Sequence, residues 1–291
     1  MDAGPVALHT ADANKQHYEV PTEFFQRILG KHLKYSSGYW RPGVTSLDQS
    51  EADMLALTCE RADLRDGQRI LDLGCGWGSF SLYAAERYPA SEILAVSNSQ
   101  TQRVHIEDQV RARGLSRLRV ITQDMNAFSD VGHFDRIVSV EMFEHMRNVR
   151  LLLHRLSGML SRDGLLFIHI FTHREFTYFF EVNDASDWMA KYFFTGGMMP
   201  GADLYWRFQD DLRLTAAWAV DGTHYQKTLE AWLARMDSQK TELWPLFAGT
   251  YGREAQRWWN YWRVFLMASA ELFGFDEGRE WYVSHYRFQK R

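Results

Sequence analysis

Through the middle of the chain, short unbroken apolar runs alternate with segments of helical spacing. The run Arg69–Leu73 ends at Gly74, and a helical pattern opens at Ser79 and continues to Arg87. Runs at Glu92–Ser97 and Leu118–Thr122 flank a helical pattern over Thr101–Arg113. The run Phe134–Val140 leads into a helix reaching Gly158, and Leu165–Ile170 follows. Such alternation predicts parallel strands joined by right-handed helical crossovers, a doubly wound α/β sheet. A ligand then sits beyond the C-terminal ends of the strands. Those ends carry Asp72, Ser97-Asn98, Asp124 and Glu141, so polar side chains gather at one edge.

The flanking regions are patterned differently. Residues 1–14 are small and polar and predict a disordered tail, leaving residues 15–291 as one domain. Tyr18, Phe24, Phe25, Ile28 and Leu29 predict a short amphipathic helix between Lys15 and Leu29, interrupted near Pro21. Ser46–Ala62 predicts another, with Ser46 as N-cap. Between them, Lys34-Tyr35-Ser36-Ser37-Gly38-Tyr39-Trp40 reads either as a surface turn or as a lid over a ligand. Beyond Ile170 the alternation breaks. The stretch Thr172–Trp206 is too aromatic for a linker and predicts an insertion covering a substrate. A strand near Leu212–Asp221, a helix over Thr228–Lys240, an apolar helix over Glu254–Phe273 and a strand over Trp281–Phe288 complete the chain. The large residues of the apolar helix, Trp262 and Phe265 among them, exceed one face and predict cover on both sides. They suit a buried core as well as a cavity wall.

The turn after the first run narrows the ligand. Gly74, Gly76 and Gly78 are spaced G-x-G-x-G, not the G-x-G-x-x-G of dinucleotide binders, and Asp72 lies two residues before the first. An acid there repels a pyrophosphate but can pair with a cationic ligand end, such as the ammonium of S-adenosylmethionine. A glycine turn alone serves strand-to-helix geometry equally well. Asn98 and Gln102 lie four apart at a helix start and can reach one ligand. Asp124 is placed to accept from an exocyclic amino group, with Met125 beside the ring.

Composition closes off several classes. A hydrophobic share of 46% supports a sizeable core, and a formal charge of −4 gives no electrostatic reason to expect nucleic acid. Two cysteines make no disulfide framework, and no apolar run reaches transmembrane length, so a cytoplasmic protein is expected. The aromatic share of 15%, with 11 Trp, implies an aromatic-lined cavity as well as a core.

The candidate chemistry is Glu141-Met142-Phe143-Glu144-His145, directly after a strand. On a helix, Glu141, Glu144 and His145 share one face, as proton abstraction from a substrate requires. Dipole compensation at a helix start, or a core histidine, accounts for the same residues without catalysis. A di-iron site needs further helical carboxylates that the chain lacks, so no metal is expected.

With those residues in hand, the chain resembles the plant coclaurine N-methyltransferases, within the larger group that includes the bacterial cyclopropane fatty acid synthases. The resemblance is carried by His17–Phe25, Leu33–Ser36, Leu71–Ser79, Asn98–Gln102, Glu141–Met146 and Tyr192–Gly197. It implies a Rossmann-like class I fold, a mostly parallel seven-stranded sheet with helices on both faces, and S-adenosylmethionine as cofactor. It implies that Tyr35, Ser36, Gly74, Asn98, Gln102, Asp124 and Met125 line the cofactor site, joining Asp72 and Gly76. Glu141, Glu144 and His145 would act on a small amine, with Tyr18 near it; Trp262 and Phe265, read from the aromatic helix itself, are the candidate cavity wall. Glu144, together with His145, takes the proton in this reading, Glu141 holds the nitrogen, and a homodimer stays open. The bicarbonate set of the cyclopropane synthases resembles Cys75, Glu144 and His169, but those enzymes have glycine where this chain has Glu141. N-methylation is therefore expected, ahead of lipid cyclopropanation or thiol methylation.

Overall fold

In the computed structural model, which describes residues 4–7, 21–128, 132–184 and 187–291, the apolar runs become strands. They are β1 (Arg69–Leu73), β2 (Glu92–Ser97), β3 (Leu118–Thr122) and β4 (Phe134–Val140). β5 (Leu160–His173) is longer than its apolar run, because Leu160 already pairs with Phe134 across an irregularity. β6 (Tyr178–Phe179) and β7 (Met198–Met199) form a separate small ribbon. β8 (Leu212–Val220) and β9 (Trp281–Lys290) complete a seven-stranded sheet in the order β3-β2-β1-β4-β5-β9-β8. β1 to β5 run parallel, and β9 is antiparallel to β5 and β8. The order reverses between β1 and β4, which opens a crevice at the strand ends.

The inner strands are buried almost without a break because both faces are covered. On β5, Leu166, Ile168 and Ile170 point to the helix Val149–Met159, whose Leu152, Leu153 and Leu156 are buried. Phe167 points the other way, to the helices Leu47–Arg61, Ser79–Arg87 and Gln100–Arg113. Polar caps fix where these helices begin. Ser46 accepts from Gln49 N (3.3 Å), Ser99 from Gln102 N (3.4 Å) and Asn148 from Leu151 N (3.0 Å).

A third core, rich in aromatic rings among aliphatic residues, lies beyond the strand ends. The helices Thr223–Ser238, Lys240–Tyr251 and Ala255–Gly274 pack there around Phe24 and Phe25 of the helix Thr22–Ile28. Lys240–Tyr251 holds Pro245, and that proline hid the helix from the sequence pattern. The helix Ala255–Gly274 buries one stripe, Trp259, Trp262, Phe265, Leu266 and Phe273, while Val264 and Met267 are exposed. The expected cover on both sides is corrected by this. Its outer aromatic residues find ring partners at the surface instead, as where Trp258 stacks on Tyr251 at 4.8 Å.

The expected disordered tail is corrected over Gly4–Ala7. Arg147 N donates to Val6 O (2.7 Å), and the Asn126 amide pairs with both backbone groups of Ala7 (3.0 and 3.1 Å). Among the described residues, no helix is long and apolar enough to cross a membrane, and no group of three potential metal ligands occurs.

Candidate active site

Two cavities meet at the crevice. The first encloses about 1170 Å³, part of it open to solvent, between the glycine turn and the ends of β1 to β4. Tyr35, Ser36, Asp72, Gly74, Gly76, Asn98, Gln102, Asp124 and Met125 all line it. The turn after β1 needs its glycines. Gly74, Gly76 and Gly78 have φ of 83°, 52° and 79°, the left-handed region. A Cβ on Gly74 would lie 2.6 Å from Met142 Cγ, whereas one on Gly76 would meet nothing within 4 Å. The space above Gly76 is cavity.

The polar rim of this cavity is braced from behind. Ser97 Oγ donates to Gln102 Oε1 (2.6 Å), and Asp124 Oδ1 accepts from Asn126 N (2.7 Å). Ser81 Oγ donates to Asp72 Oδ2 (2.5 Å), and burial pushes the Asp72 carboxyl up to about 7. A cationic ligand end beside Asp72 would return it to the charged form. These residues fit S-adenosylmethionine: a floor of open backbone, a buried acid for an ammonium, and polar groups for a nucleoside.

The second cavity, about 1060 Å³, lies under the aromatic cap and includes Phe171, Phe180, Phe194, Trp232, Phe265 and Phe273 in its wall. Its polar groups cluster at one end, where Tyr35, Glu141 and His145 belong to both cavities. The loop Lys34–Trp40 forms the roof of the junction. Gly38 N and Trp40 Nε1 donate to Thr228 Oγ1 (3.0 and 2.9 Å), and Trp40 N donates to His224 Nδ1 (2.8 Å). A Cβ on Gly38 would strike Ser50 Oγ at 2.5 Å. The loop is therefore a pinned wall, not a surface turn.

Glu141 is the centre of the junction. Its φ is 47°, rare for a side-chain-bearing residue and a conformation that costs about 1–3 kcal/mol. The kink ends β4, and Phe143–His145 follow as a single 3₁₀ turn. The α-helical face expected for Glu141, Glu144 and His145 is thus corrected, although all three still line the second cavity. Tyr225 Oη donates to Glu141 Oε2 (2.6 Å). Ser37 N and His169 Nε2 both donate to Oε1, each at 3.2 Å. Lys34, wholly buried, donates its ammonium to Ser36 Oγ (2.5 Å) and Ser37 O (2.8 Å).

The electrostatics separate the two carboxylates. Burial raises both, but three donors and the nearby Lys34 oppose it at Glu141. At Glu144, burial with the Glu141 charge added holds the carboxyl well above the usual range against a single backbone hydrogen bond, and Oε2 lacks a hydrogen-bond partner. Glu141 is thus the member better stabilised as an anion, and Glu144 the one more readily protonated. Burial lowers the His145 imidazole to about 4, with Glu141 opposing, so it is uncharged at neutral pH. Burial likewise lowers Lys34, to about 8, against Glu141 and Glu51. Of the two groups expected to take the proton, Glu144 and His145, the imidazole is the one that burial leaves uncharged and open to a proton.

Phe265 lines the second cavity, stacked on Phe193 at 4.4 Å. Trp262 does not: it is fully buried behind that wall, 4.8 Å from the Phe24 ring and 5.2 Å from Phe193. The expected substrate role of Trp262 is corrected accordingly, and Tyr18 lies outside the described residues. Tyr225, Lys34 and His285 were not singled out by sequence reasoning, because only the fold brings them to the site. Phe265→Ala should therefore raise the acceptor KM with the fold and cofactor affinity kept. Trp262→Ala should cost about 3–5 kcal/mol of stability instead. Denaturant unfolding and steady-state kinetics on both variants distinguish a wall residue from a core residue; a stable Trp262→Ala with a raised KM would reverse the assignment.

The chain is similar to known proteins over nearly its whole length. The sequence profile of the family described as mycolic acid cyclopropane synthetase matches residues 7–279. The (S)-coclaurine N-methyltransferase of Thalictrum flavum subsp. glaucum is 39% identical over 291 residues, covering 98% of this chain and 81% of that protein. The cyclopropane-fatty-acyl-phospholipid synthase of Escherichia coli (strain K12) is 29% identical over 271 residues, covering 92% of this chain and 66% of its own. A crystal structure of coclaurine N-methyltransferase bound to N-methylheliamine and SAH superposes with a TM-score of 0.95 at 38% identity, covering 99% of this chain and 84% of that one.

Proposed function

The chain belongs to the family of the mycolic acid cyclopropane synthetases, and from that premise we propose that it methylates the nitrogen of a small aromatic amine of tetrahydroisoquinoline type. The observation that carries this reading is Glu141, a carboxylate that accepts three hydrogen bonds at the polar end of a mostly apolar cavity. A buried anion is costly unless paired, and a protonated amine is the partner that shape and charge both select. Aromatic faces favour the same cation. A lipid alkene offers no charge to match.

When bound, S-adenosylmethionine supplies a sulfonium methyl to an attacking lone pair. Asp72, Gly76, Asn98, Gln102 and Asp124 are the residues that would hold it in the first cavity. Glu141 binds the ammonium by a charge-assisted hydrogen bond and keeps its nitrogen at the junction. His145 takes the proton, becoming an imidazolium that the Glu141 charge stabilises, and the nitrogen lone pair is exposed. The walls Phe171, Phe180, Phe194 and Phe273 exclude water, and Tyr35 spans the boundary that the methyl must cross. Alignment and dryness supply most of the rate.

Incubation with methyl-labelled S-adenosylmethionine and, in separate arms, a tetrahydroisoquinoline, an aryl thiol and an unsaturated phospholipid with bicarbonate tests the proposal. Label on the amine nitrogen is expected. Turnover of the thiol or the phospholipid, with none of the amine, would overturn it.

A further inference from the structure

Behind Glu141 a file of buried side chains leads away from both cavities. His169 on β5 meets Glu141 Oε1 through Nε2 (3.2 Å), and its Nδ1 lies 2.9 Å from Nε2 of His285 on β9. The other His285 nitrogen, Nδ1, is 2.7 Å from Arg61 at the end of the helix Leu47–Arg61. Both histidines are fully buried, and Arg61 is half-buried against the Trp218 ring.

The direction of every bond follows from one fact: a guanidinium only donates. His285 Nδ1 must therefore accept, which places its proton on Nε2. That Nε2–H donates to His169 Nδ1, so His169 also carries its proton on Nε2 and donates it to Glu141. Both imidazoles must be neutral, since a proton added to either would face a donor. Their burial, which holds both well below the usual histidine range, agrees.

We infer that Arg61, His285 and His169 are positioning residues, a one-way file of hydrogen bonds that orients Glu141 and reserves its anion for the acceptor. The inference rests on the amine reading for its kinetic consequence but not for its geometry. Titratable and charged groups facing Glu141 from the other elements are Lys34 and Tyr35 of the roof, Glu144 and His145 of the 3₁₀ turn, and Tyr225 of the helix Thr223–Ser238. Facing the two histidines are Arg61 and, at longer range, Lys34. Beside Arg61 stand Glu60 and Tyr39. None of these takes the place of the His169 donor on Oε1. Without it, the anion loses one of three donors, and its protonation moves to higher pH.

The test uses the full chain in two readouts. Nitrogen NMR of labelled histidine should show His169 and His285 as Nε2–H tautomers near pH 7. In Arg61→Met, His285 should lose that fixed tautomer. In amine methylation, the acid limb of kcat/KM should move up by roughly one pH unit in Arg61→Met and in His285→Leu. KM should change more than kcat, and affinity for S-adenosylhomocysteine should stay as in wild type. His285→Gln, which can accept from Arg61 and donate to His169, should restore most of the profile. If His285→Leu fails to fold, Arg61→Met, altered at a half-exposed position, carries the test alone. An Nδ1–H tautomer at either histidine in wild type, or an unmoved acid limb in folded Arg61→Met, would overturn the inference. Wild-type tautomers as derived with no amine turnover would sink the amine reading and leave the file of hydrogen bonds standing.

Discussion

Gly76→Val is expected to abolish detectable binding of S-adenosylhomocysteine while the chain stays folded. Two effects act together. At φ of 52° a β-branched residue costs about 1–3 kcal/mol, within the stability of an ordinary domain. The isopropyl group would also project into the open space above Gly76, where a Cβ alone meets nothing within 4 Å. That space is the floor of the first cavity, so ligand and side chain would compete for it. Affinity should fall by at least roughly a hundredfold. Gly76→Ala should fall by much less, since one methyl leaves most of the space. Calorimetry with S-adenosylhomocysteine, beside near-ultraviolet circular dichroism to check folding, measures both. A folded Gly76→Val that binds within tenfold of wild type would remove the first cavity from the cofactor's account. NAD should not bind at all, because Asp72 would face its pyrophosphate.

The second large effect is expected at Glu141→Gln. The amide keeps the size and can still accept from Tyr225, but it carries no charge for an ammonium. A hydrogen bond to a charged group contributes about 1.5–3 kcal/mol, so kcat/KM for an amine should fall by roughly tenfold to a hundredfold. The sign with pH is definite. Burial raises the Glu141 carboxyl above its ordinary value, so its anion, and the wild-type advantage, is lost as pH falls through that raised value. The advantage also fades once pH rises above the amine's own pKa, where the acceptor arrives uncharged. The gap between wild type and variant should be widest between those two limits. Initial rates across that range, with the best amine, report it; parallel profiles would refute the ammonium-binding role.

How much of this was legible in advance follows from distance along the chain. The glycine turn, the strand ends and most residues of the first cavity are local features, each set by a strand, its turn and the next helix start, while Tyr35 and Ser36 come from the preceding loop. All nine expected cofactor residues do line that cavity. The second cavity is different, because its decisive contacts are long-range. Ser37 reaches Glu141 across 104 residues, Tyr225 across 84, and His285 meets His169 across 116. No pattern in a single sequence couples such positions. Glu141 itself misled locally: spacings of three and four suggest a helix face, while its left-handed backbone ends the strand and admits only a 3₁₀ turn. The resembling cyclopropane synthases have glycine at that position, the residue that adopts this backbone freely. Trp262 and Phe265 lie three apart on one helix stripe, so periodicity could not say which faced a cavity and which the core. The packing of Phe24 and Phe193 against Trp262 decides it.

The central claim is that an ionised Glu141 selects a cationic acceptor. Calorimetry on the enzyme saturated with S-adenosylhomocysteine compares a tetrahydroisoquinoline with the isochroman of the same shape, in which oxygen replaces the nitrogen. At neutral pH the amine should bind wild type at least roughly tenfold more tightly than the neutral isostere, and Glu141→Gln should erase most of that difference. Equal affinity of wild type for the two, or an undiminished preference in Glu141→Gln, would contradict it.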